Sequence, residues 1–445
     1  MLNNMVASLA SLRLLIQDMN LPHTDFSLTP MMGRHLQQPT ADALAVAVPV
    51  ITFEENNATV LEIFGRHREL VSLPVLENQH PIGLISRNIF MSQMSKPYHR
   101  ELYEKKSCIA FMDKDPLIVE ADTPIETLGA LAVASGDKTL ADGFLIVDGG
   151  KFTGLGSGLE LMRMLVDLQA EKNRQVMQSI DYASVIQRAM LSASRTAMAQ
   201  AIGDACLVWE PRDVVGGDFY HLECFPDGWF AAVADCTGHG VPGAFLTLIA
   251  SSSIKQALEQ HGPRDPALVM SEVNRSMKQV LGQHAAATQL SESDDGMDAC
   301  FFWFDAASHR LTCANAKMSL LTLQPGEDAV QTFDGERTGL GYVDTPDDMQ
   351  WSNREVQLSD GAIVMIATDG IIDQIGGPKN IAFGKQRLRK SLMQHRDLPM
   401  QDVGKMIMEE QRAYQGRQRR RDDLTFFGFR VGDSLINLHQ SARTA

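Results

Sequence analysis

Four short segments place aspartate where it could do chemistry: GGDFY around Asp218, ADCTGHG around Asp235, ATDG around Asp369 and DDLT from Asp422. In each, an apolar run suited to a core strand carries an acid at its end. Carboxylate oxygens are hard ligands that suit Mg²⁺ or Mn²⁺ better than a metal seeking thiolate. Residues 211–225 and 229–236 read as strands on either side of a Pro226-Asp227-Gly228 turn, and the midpoint between Asp218 and Asp235 falls inside that turn. They should face each other across a hairpin, where two carboxylates repel unless a cation or proton lies between them. Gly238 and Gly240 then form a glycine-rich turn into an apolar-periodic helix, whose N-terminus favours anionic groups. One aspartate at a strand end is ordinary turn chemistry. Four in this order carry the signal.

The elements that must position these acids are legible further out. Residues 361–373 read as a buried strand ending at Asp369, and 421–431 as a closing strand. Upstream, Leu159 to Ile202 contains neither Gly nor Pro, enough for a helix of ~66 Å. Leu161, Leu165 and Leu168 are followed by a polar break at 171–175, then by Val176, Met177, Ile180, Val185 and Ile186. That stripe fits either two bent amphipathic helices or a helical connector between domains. Residues 51–165 repeat a helix–strand–turn–strand–helix unit. The first copy uses 59–64, 73–78 and 81–94, the second 123–128, 143–150 and 152–165, with Gly83 and Gly154 in matching strands. Residues 1–50 offer one candidate helix and a Pro- and Gln-containing linker.

Composition bounds the rest. The chain has 445 residues and a formal charge of −15, with 44% hydrophobic and 21% charged residues. That is a folded protein of two or three domains. Its negative balance argues against nucleic acid or an anionic membrane as the main partner. No run reaches the ~18 apolar residues of a membrane span, and the N-terminus lacks the basic region and long apolar core of a secretory signal. The six cysteines show no C-x-x-C spacing, which points to reduced thiols and a cytoplasmic protein. Cys236 has no basic neighbours in sequence to make it a nucleophile.

With these motifs in order, residues 203 to 432 resemble a SpoIIE-type metal-dependent protein phosphatase (PPM), and residues 179–191 resemble that branch's regulatory helix. The resemblance implies two divalent cations, Mn²⁺ or Mg²⁺, held by Asp218, Asp235, Asp369, Asp422 and the backbone carbonyl of Cys236. It implies hydrolysis of phosphoserine or phosphothreonine by water, without a phospho-enzyme. Asp423, Asp298, His239 and Arg421 form a second tier. His239 is either a proton donor to the leaving oxygen or a structural turn residue. The run Arg417, Arg419, Arg420 and Arg421 is either a solvated face or the source of one phosphate-facing arginine.

Residues 51–165 resemble a CBS (cystathionine β-synthase) pair, a regulatory module that often binds adenine nucleotides. The family's nucleotide site usually carries Gly-x-x-Thr/Ser-x-x-Asp. Here Ser86 and Ser157 hold the hydroxyl position and Ile89 and Glu160 the aspartate position, leaving Asn88 and Glu160 as stand-ins. The expected fold is α+β multidomain: an undefined segment 1–50, a tandem CBS (βαβ-type) pair 51–165, a helical connector 166–202, an αββα phosphatase sandwich 203–432 and a tail 433–445. The expected partners are a phosphorylated STAS-type antagonist protein and a second copy of the chain. Two other readings remain: a non-catalytic signalling scaffold, and a metallohydrolase of small phosphoesters.

Overall fold

The computed structural model describes residues 39–284 and 293–432; the candidate N-terminal helix before residue 39 and the tail 433–445 lie outside them. Two compact units divide between Lys172 and Asn173.

The first unit is a duplicated βαββα pattern. Its first copy contains β1 (Ile51–Thr52), α1 (Asn57–Arg66), β2 (Ser72–Glu77), β3 (His80–Ser86) and α2 (Arg87–Met94). The second contains β4 (Ile118–Glu120), α3 (Ile125–Ala134), α4 (Asp137–Asp142), β5 (Phe144–Asp148) and β6 (Lys151–Gly156), and runs into α5 (Gly158–Ala201). Each copy folds a three-stranded sheet whose first two strands are parallel and last two antiparallel. The repeat holds at the level of register. Val75 pairs with Gly83 and Ile146 with Gly154, and each ladder slips immediately after that pair.

The glycines are needed because the chain crosses there. The segment preceding the second copy joins the first through an isolated bridge (Leu84 with Asp113), and the segment preceding the first joins the second in the same way (Val46 with Leu155). A Cβ on Gly83 would lie 2.5 Å from the Asp113 carbonyl oxygen, and one on Gly154 3.0 Å from the Val46 nitrogen. The copies also share a core: Leu145 and Leu155 pack with Leu73, Val75 and Phe90, while Phe144 and Ile146 face Leu128 and Leu161.

The 44-residue α5 is one continuous helix, so the polar break at 171–175 does not interrupt it. Residues 172–175 are exposed, and Glu, Lys, Arg and Gln are good helix formers that need no apolar cover to remain helical.

The second unit contains β7 (Ala205–Glu210), β8 (Asp218–Phe225), β9 (Gly228–Cys236), α6 (Gly240–His261), α7 (Pro266–Leu281), β10 (Met297–Asp305), β11 (Arg310–Ala316), β12 (Leu320–Leu323) and β13 (Gln331–Phe333). It continues with β14 (Arg354–Gln357), β15 (Ile363–Ala367), α8 (Asp369–Ile372), β16 (Ile375–Gly376), β17 (Ile381–Ala382), α9 (Gly384–Gln394), α10 (Met400–Gln415) and β18 (Leu424–Arg430). Two antiparallel five-stranded sheets, ordered β14-β11-β10-β9-β8 and β13-β12-β15-β18-β7, form its centre. Both faces of each sheet are covered, which explains the nearly unbroken apolar strands.

Along β9, Trp229, Ala231 and Val233 point between the sheets, whereas Phe230, Ala232 and Ala234 point towards α6 and α7. On β18, Phe427 and Phe429 face Trp229, and Phe426 faces α9 and α10. Trp229, fully buried, sits 4.8 Å from Phe429 and 5.4 Å from Phe302 between ring centroids. The four layers are therefore helix, sheet, sheet, helix. Residues 211–217, expected as part of a strand, form a loop instead. Their backbone groups are taken by side chains from distant elements, described next, rather than by a neighbouring strand.

Candidate active site

The first sheet lines up three acids. Asp218 pairs with Asp235 across β8 and β9, and Asp235 pairs with Asp298 across β9 and β10. Directly opposed residues share one face of a sheet, so the three carboxylates stand in a row at one sheet end. The second sheet adds two more: Asp369 opens α8 just beyond β15, and Asp422 precedes β18. A Cβ on Gly370 would sit 1.8 Å from the Asp423 carbonyl oxygen, so the start of α8 lies directly on the chain leading into β18. Thr368 stitches the two sheets together. Its hydroxyl donates to Asp218 Oδ2 at 2.7 Å and accepts the Thr425 N–H at 2.9 Å. Gly370→Ala is expected to force the Asp369 and Asp422 backbones apart, costing about 2–4 kcal/mol of stability and most of the activity. Thermal melts and turnover together would check it.

The electrostatics are those of acids crowded without counter-charge. Asp218 is fully buried, and its carboxyl is pushed up to about 8 by that burial, with Asp423 and Asp369 adding to the shift. Asp235 is raised by burial and then by Asp218, Asp369, Asp422 and Asp298. Asp369 reaches solvent, yet desolvation and then Asp422 and Asp373 raise it as well. Asp218 Oδ1 is buried with no hydrogen-bond partner. A buried carboxylate oxygen without a donor, beside other repelling acids, fits a hard cation. Among the described residues, no group of three or more His, Cys, Asp or Glu side chains is placed so that it could hold a metal ion with those side chains alone. Cations held here would therefore keep ligands of other kinds, such as backbone carbonyls or water.

A pH dependence follows. Because the folded-state values of Asp218, Asp235 and Asp369 lie above the unfolded ones, the folded protein binds more protons and stability must fall as pH rises. Cation-free protein is expected to melt progressively lower from about pH 4 towards pH 8, and saturating Mn²⁺ should flatten that slope. Melting curves across this range, with chelator and with metal, provide the check.

The second-tier residues separate into distinct roles. Asp423 is 2% exposed and aims inward, accepting the N–H groups of Arg212 and Gly217, each at 2.6 Å. It anchors the loop that delivers Asp218. Asp298 is held by Tyr342 Oη at 3.2 Å and Lys317 Nζ at 3.4 Å. Burial raises its carboxyl despite the lysine. His239 is drawn aside by Asp213, with Nδ1 2.8 Å from Oδ2. Arg421 is exposed, its main chain held by Gln374 and Arg212. Burial and then Asp235 push the Cys236 thiol well up, opposite to what a nucleophile needs.

Sequence reasoning missed Gln187, on the face of α5 that meets this site. Its amide donates to the Gly216 carbonyl at 2.7 Å and to Thr247 Oγ1 at 3.2 Å, and accepts the Gly216 N–H at 3.2 Å. It also missed Trp209, whose indole N–H donates to the Asp218 carbonyl at 2.9 Å. An amide or indole in an apolar helix or strand gives no spacing signal.

In the first unit, the four nucleotide candidates have different surroundings. Ser86 Oγ donates to Asp142 Oδ1 at 2.6 Å in a buried contact, and Asn88 is exposed. The Ser157 carbonyl accepts the Leu161 N–H, and Glu160 pairs with Arg163 at 2.5 Å.

Comparison with known proteins bears on the second unit. The family Stage II sporulation protein E (SpoIIE) matches residues 226–432. The SiaA-PP2C domain of Pseudomonas aeruginosa is 37% identical, with 59% of this chain and 99% of that one aligned at a TM-score of 0.53. The chain belongs to the SpoIIE family. It is a PPM-type serine/threonine phosphatase. The SpoIIE match includes Asp235, Asp369 and Asp422 and starts just after Asp218. Also similar are the PP2C phosphatase domain with a regulatory fragment of SpoIIE from Bacillus subtilis (17% identity, 52% of this chain, 61% of that one, TM-score 0.42) and the RsbU and RsbW domains of a Mycobacterium tuberculosis protein (16%, 52%, 60%, 0.42). No curated protein matches the chain.

A groove of ≈ 490 Å³ between α5, β7 and α10 contains none of the SpoIIE-type aspartates, which lie at the sheet ends instead. No helix among the described residues is long and apolar enough to cross a membrane.

Proposed function

We propose that the chain removes phosphate from phosphoserine or phosphothreonine on a partner protein, a STAS-type antagonist in a partner-switching pathway, within the cytoplasm. The observation that carries this reading is the row Asp218–Asp235–Asp298 meeting Asp369 and Asp422 across the sandwich, with Asp218 Oδ1 unpartnered. Asp218, Asp235, Asp369 and Asp422, with the Cys236 carbonyl, would hold two divalent cations, Mn²⁺ or Mg²⁺. When bound, such ions polarise a phosphoryl group and make water a competent nucleophile near neutral pH. The protein contributes position. Thr368 and Trp209 fix Asp218, Asp423 and Gln187 fix the loop before it, and the register of β9 fixes Asp235. We assign no side chain among the described residues as a covalent nucleophile, so phosphate would pass directly to water.

Regulation belongs to the same proposal. Residues 51–165 are assigned as a CBS-like sensor, 166–202 as the connector and 203–432 as the phosphatase. The duplicated βαββα topology and its reciprocal bridges support the sensor assignment. An adenine nucleotide is its candidate ligand, although the commitment of Ser86 to Asp142 weighs against that hydroxyl as a contact. A homodimer is favoured by apolar residues left exposed along α5, including Leu159 (61%), Val166 (62%) and Val176 (58%).

Phosphate release from a phosphorylated STAS protein, p-nitrophenyl phosphate and nucleotides, each with Mn²⁺, tests the reading. Turnover of the phosphoprotein well above the others is expected. Robust turnover of nucleotides alone would move the assignment to a small-phosphoester hydrolase.

A further inference from the structure

Residues 417–421 hold four arginines in a chain whose net charge is −15. Only Arg420 is spent internally, pairing with Glu210, which also takes Arg412 at 2.5 Å. The side chains of Arg417, Arg419 and Arg421 are exposed and have no partner among the described residues. Long cationic side chains left free on a floppy loop would mean little. Here the backbone beneath them is held.

Gln374, 1% exposed, is the clamp. Its Nε2 donates to the Arg419 carbonyl at 3.0 Å, and its Oε1 accepts the Arg421 N–H at 3.3 Å. Arg212 Nη1 holds the Arg421 carbonyl at 3.1 Å from the other side. The β16–β17 hairpin docks on the same turn. Gln418 donates to Asn380 Oδ1 at 3.0 Å and Tyr414 Oη to the Ile381 carbonyl at 3.0 Å, which sets exposed Lys379 at the hairpin tip beside the arginines. Gln374 lies five residues beyond Asp369, and Asp422 directly follows Arg421, so the catalytic acids and this cationic rim share one framework.

We infer that Arg417, Arg419, Arg421 and Lys379 form a docking surface for an acidic segment flanking the phosphorylated residue of the protein substrate. This rests on the phosphatase reading above and specifies its substrate class. Guanidinium groups match carboxylates with paired hydrogen bonds, and an ordered backbone lowers the entropy lost in forming them. The surface is small and the rest of the molecule is acidic, so a short acidic stretch fits where an extended polyanion would meet repulsion.

The test measures binding of three fluorescent phosphoserine peptides to the full chain by anisotropy, with Asp/Glu, Asn/Gln or Lys flanks. The acidic peptide is expected to bind about tenfold more tightly at about 50 mM salt, with most of the difference gone at about 500 mM. Arg417→Glu/Arg419→Glu should reverse the order and favour a Lys-flanked peptide. Both positions are exposed and unpartnered, and a matching thermal melt establishes that the variant is folded. Equal binding of the acidic and Asn/Gln-flanked peptides, a preference that survives charge reversal, or displacement of the acidic peptide by RNA or anionic vesicles as readily as by itself would overturn the inference. Turnover of the same peptides with Mn²⁺ is read separately. Acid-selective binding without hydrolysis would leave the surface standing and remove the phosphatase reading.

Discussion

Asp235→Asn is expected to lower turnover by about 10³-fold or more while making the cation-free protein more stable. Both halves have one cause. Asp235 stands between Asp218 and Asp298 in the row and faces Asp369 and Asp422 electrostatically, so its charge is the most crowded of the set. Without cations that charge only repels, and its removal relieves on the order of 1–3 kcal/mol near pH 8. With Mn²⁺ the order should invert. The parent protein gains about 2.7 kcal/mol when metal is a hundredfold above its dissociation constant, and the variant gains little. Melting temperatures of both proteins, with chelator and with Mn²⁺, reveal the crossing. A variant less stable than the parent in chelator would show that Asp235 is structural.

Asp423→Ala should be nearly as damaging for a different reason. Its carboxylate takes two backbone N–H groups of the 211–217 loop, and removing it leaves the buried Gly217 donor unpaired. The cost is about 2–4 kcal/mol, with turnover down by about 10²-fold because Asp218 loses its support. Asp423→Asn separates charge from geometry. Its amide oxygen can still accept one of the two bonds, so it should recover part of the stability. Metal affinity is the discriminating readout: it should weaken in the Ala variant through misplacement of Asp218, and the Asn variant should recover part of it. Full activity in Asp423→Ala would show that the loop does not need this anchor.

What could be read from the residues alone was whatever obeyed a period or a symmetry. The pairing of Asp218 with Asp235 followed from their midpoint falling inside the 226–228 turn, because antiparallel register is arithmetic once the turn is placed. Gly83 and Gly154 marked the repeat because a crossing segment leaves no room for a side chain. The long helix was visible as an absence of Gly and Pro, although sequence could not decide between a bend and a straight run.

What stayed hidden depended on contacts distant in sequence. The 211–217 loop looked like strand because Val214 and Val215 have strand-like side chains. Its fate was decided by Asp423 and Gln187, 206 and 29 residues from the glycines they hold. The different tasks of Asp422 and Asp423 likewise depend on which way each points at the start of β18. Gln374 gave no signal at all, since a buried amide is recognisable only by the two ends of the turn it closes.

The most direct test is phosphate release from a phosphoserine peptide by the full chain, followed as Mn²⁺ is added and then chelated, in the parent and in Asp218→Asn. Release should rise to saturation with Mn²⁺, stop on chelation and fall about 10³-fold in the variant. Release that continues in chelator, or that Asp218→Asn leaves undiminished, would contradict a cation-dependent phosphatase centre built on these aspartates.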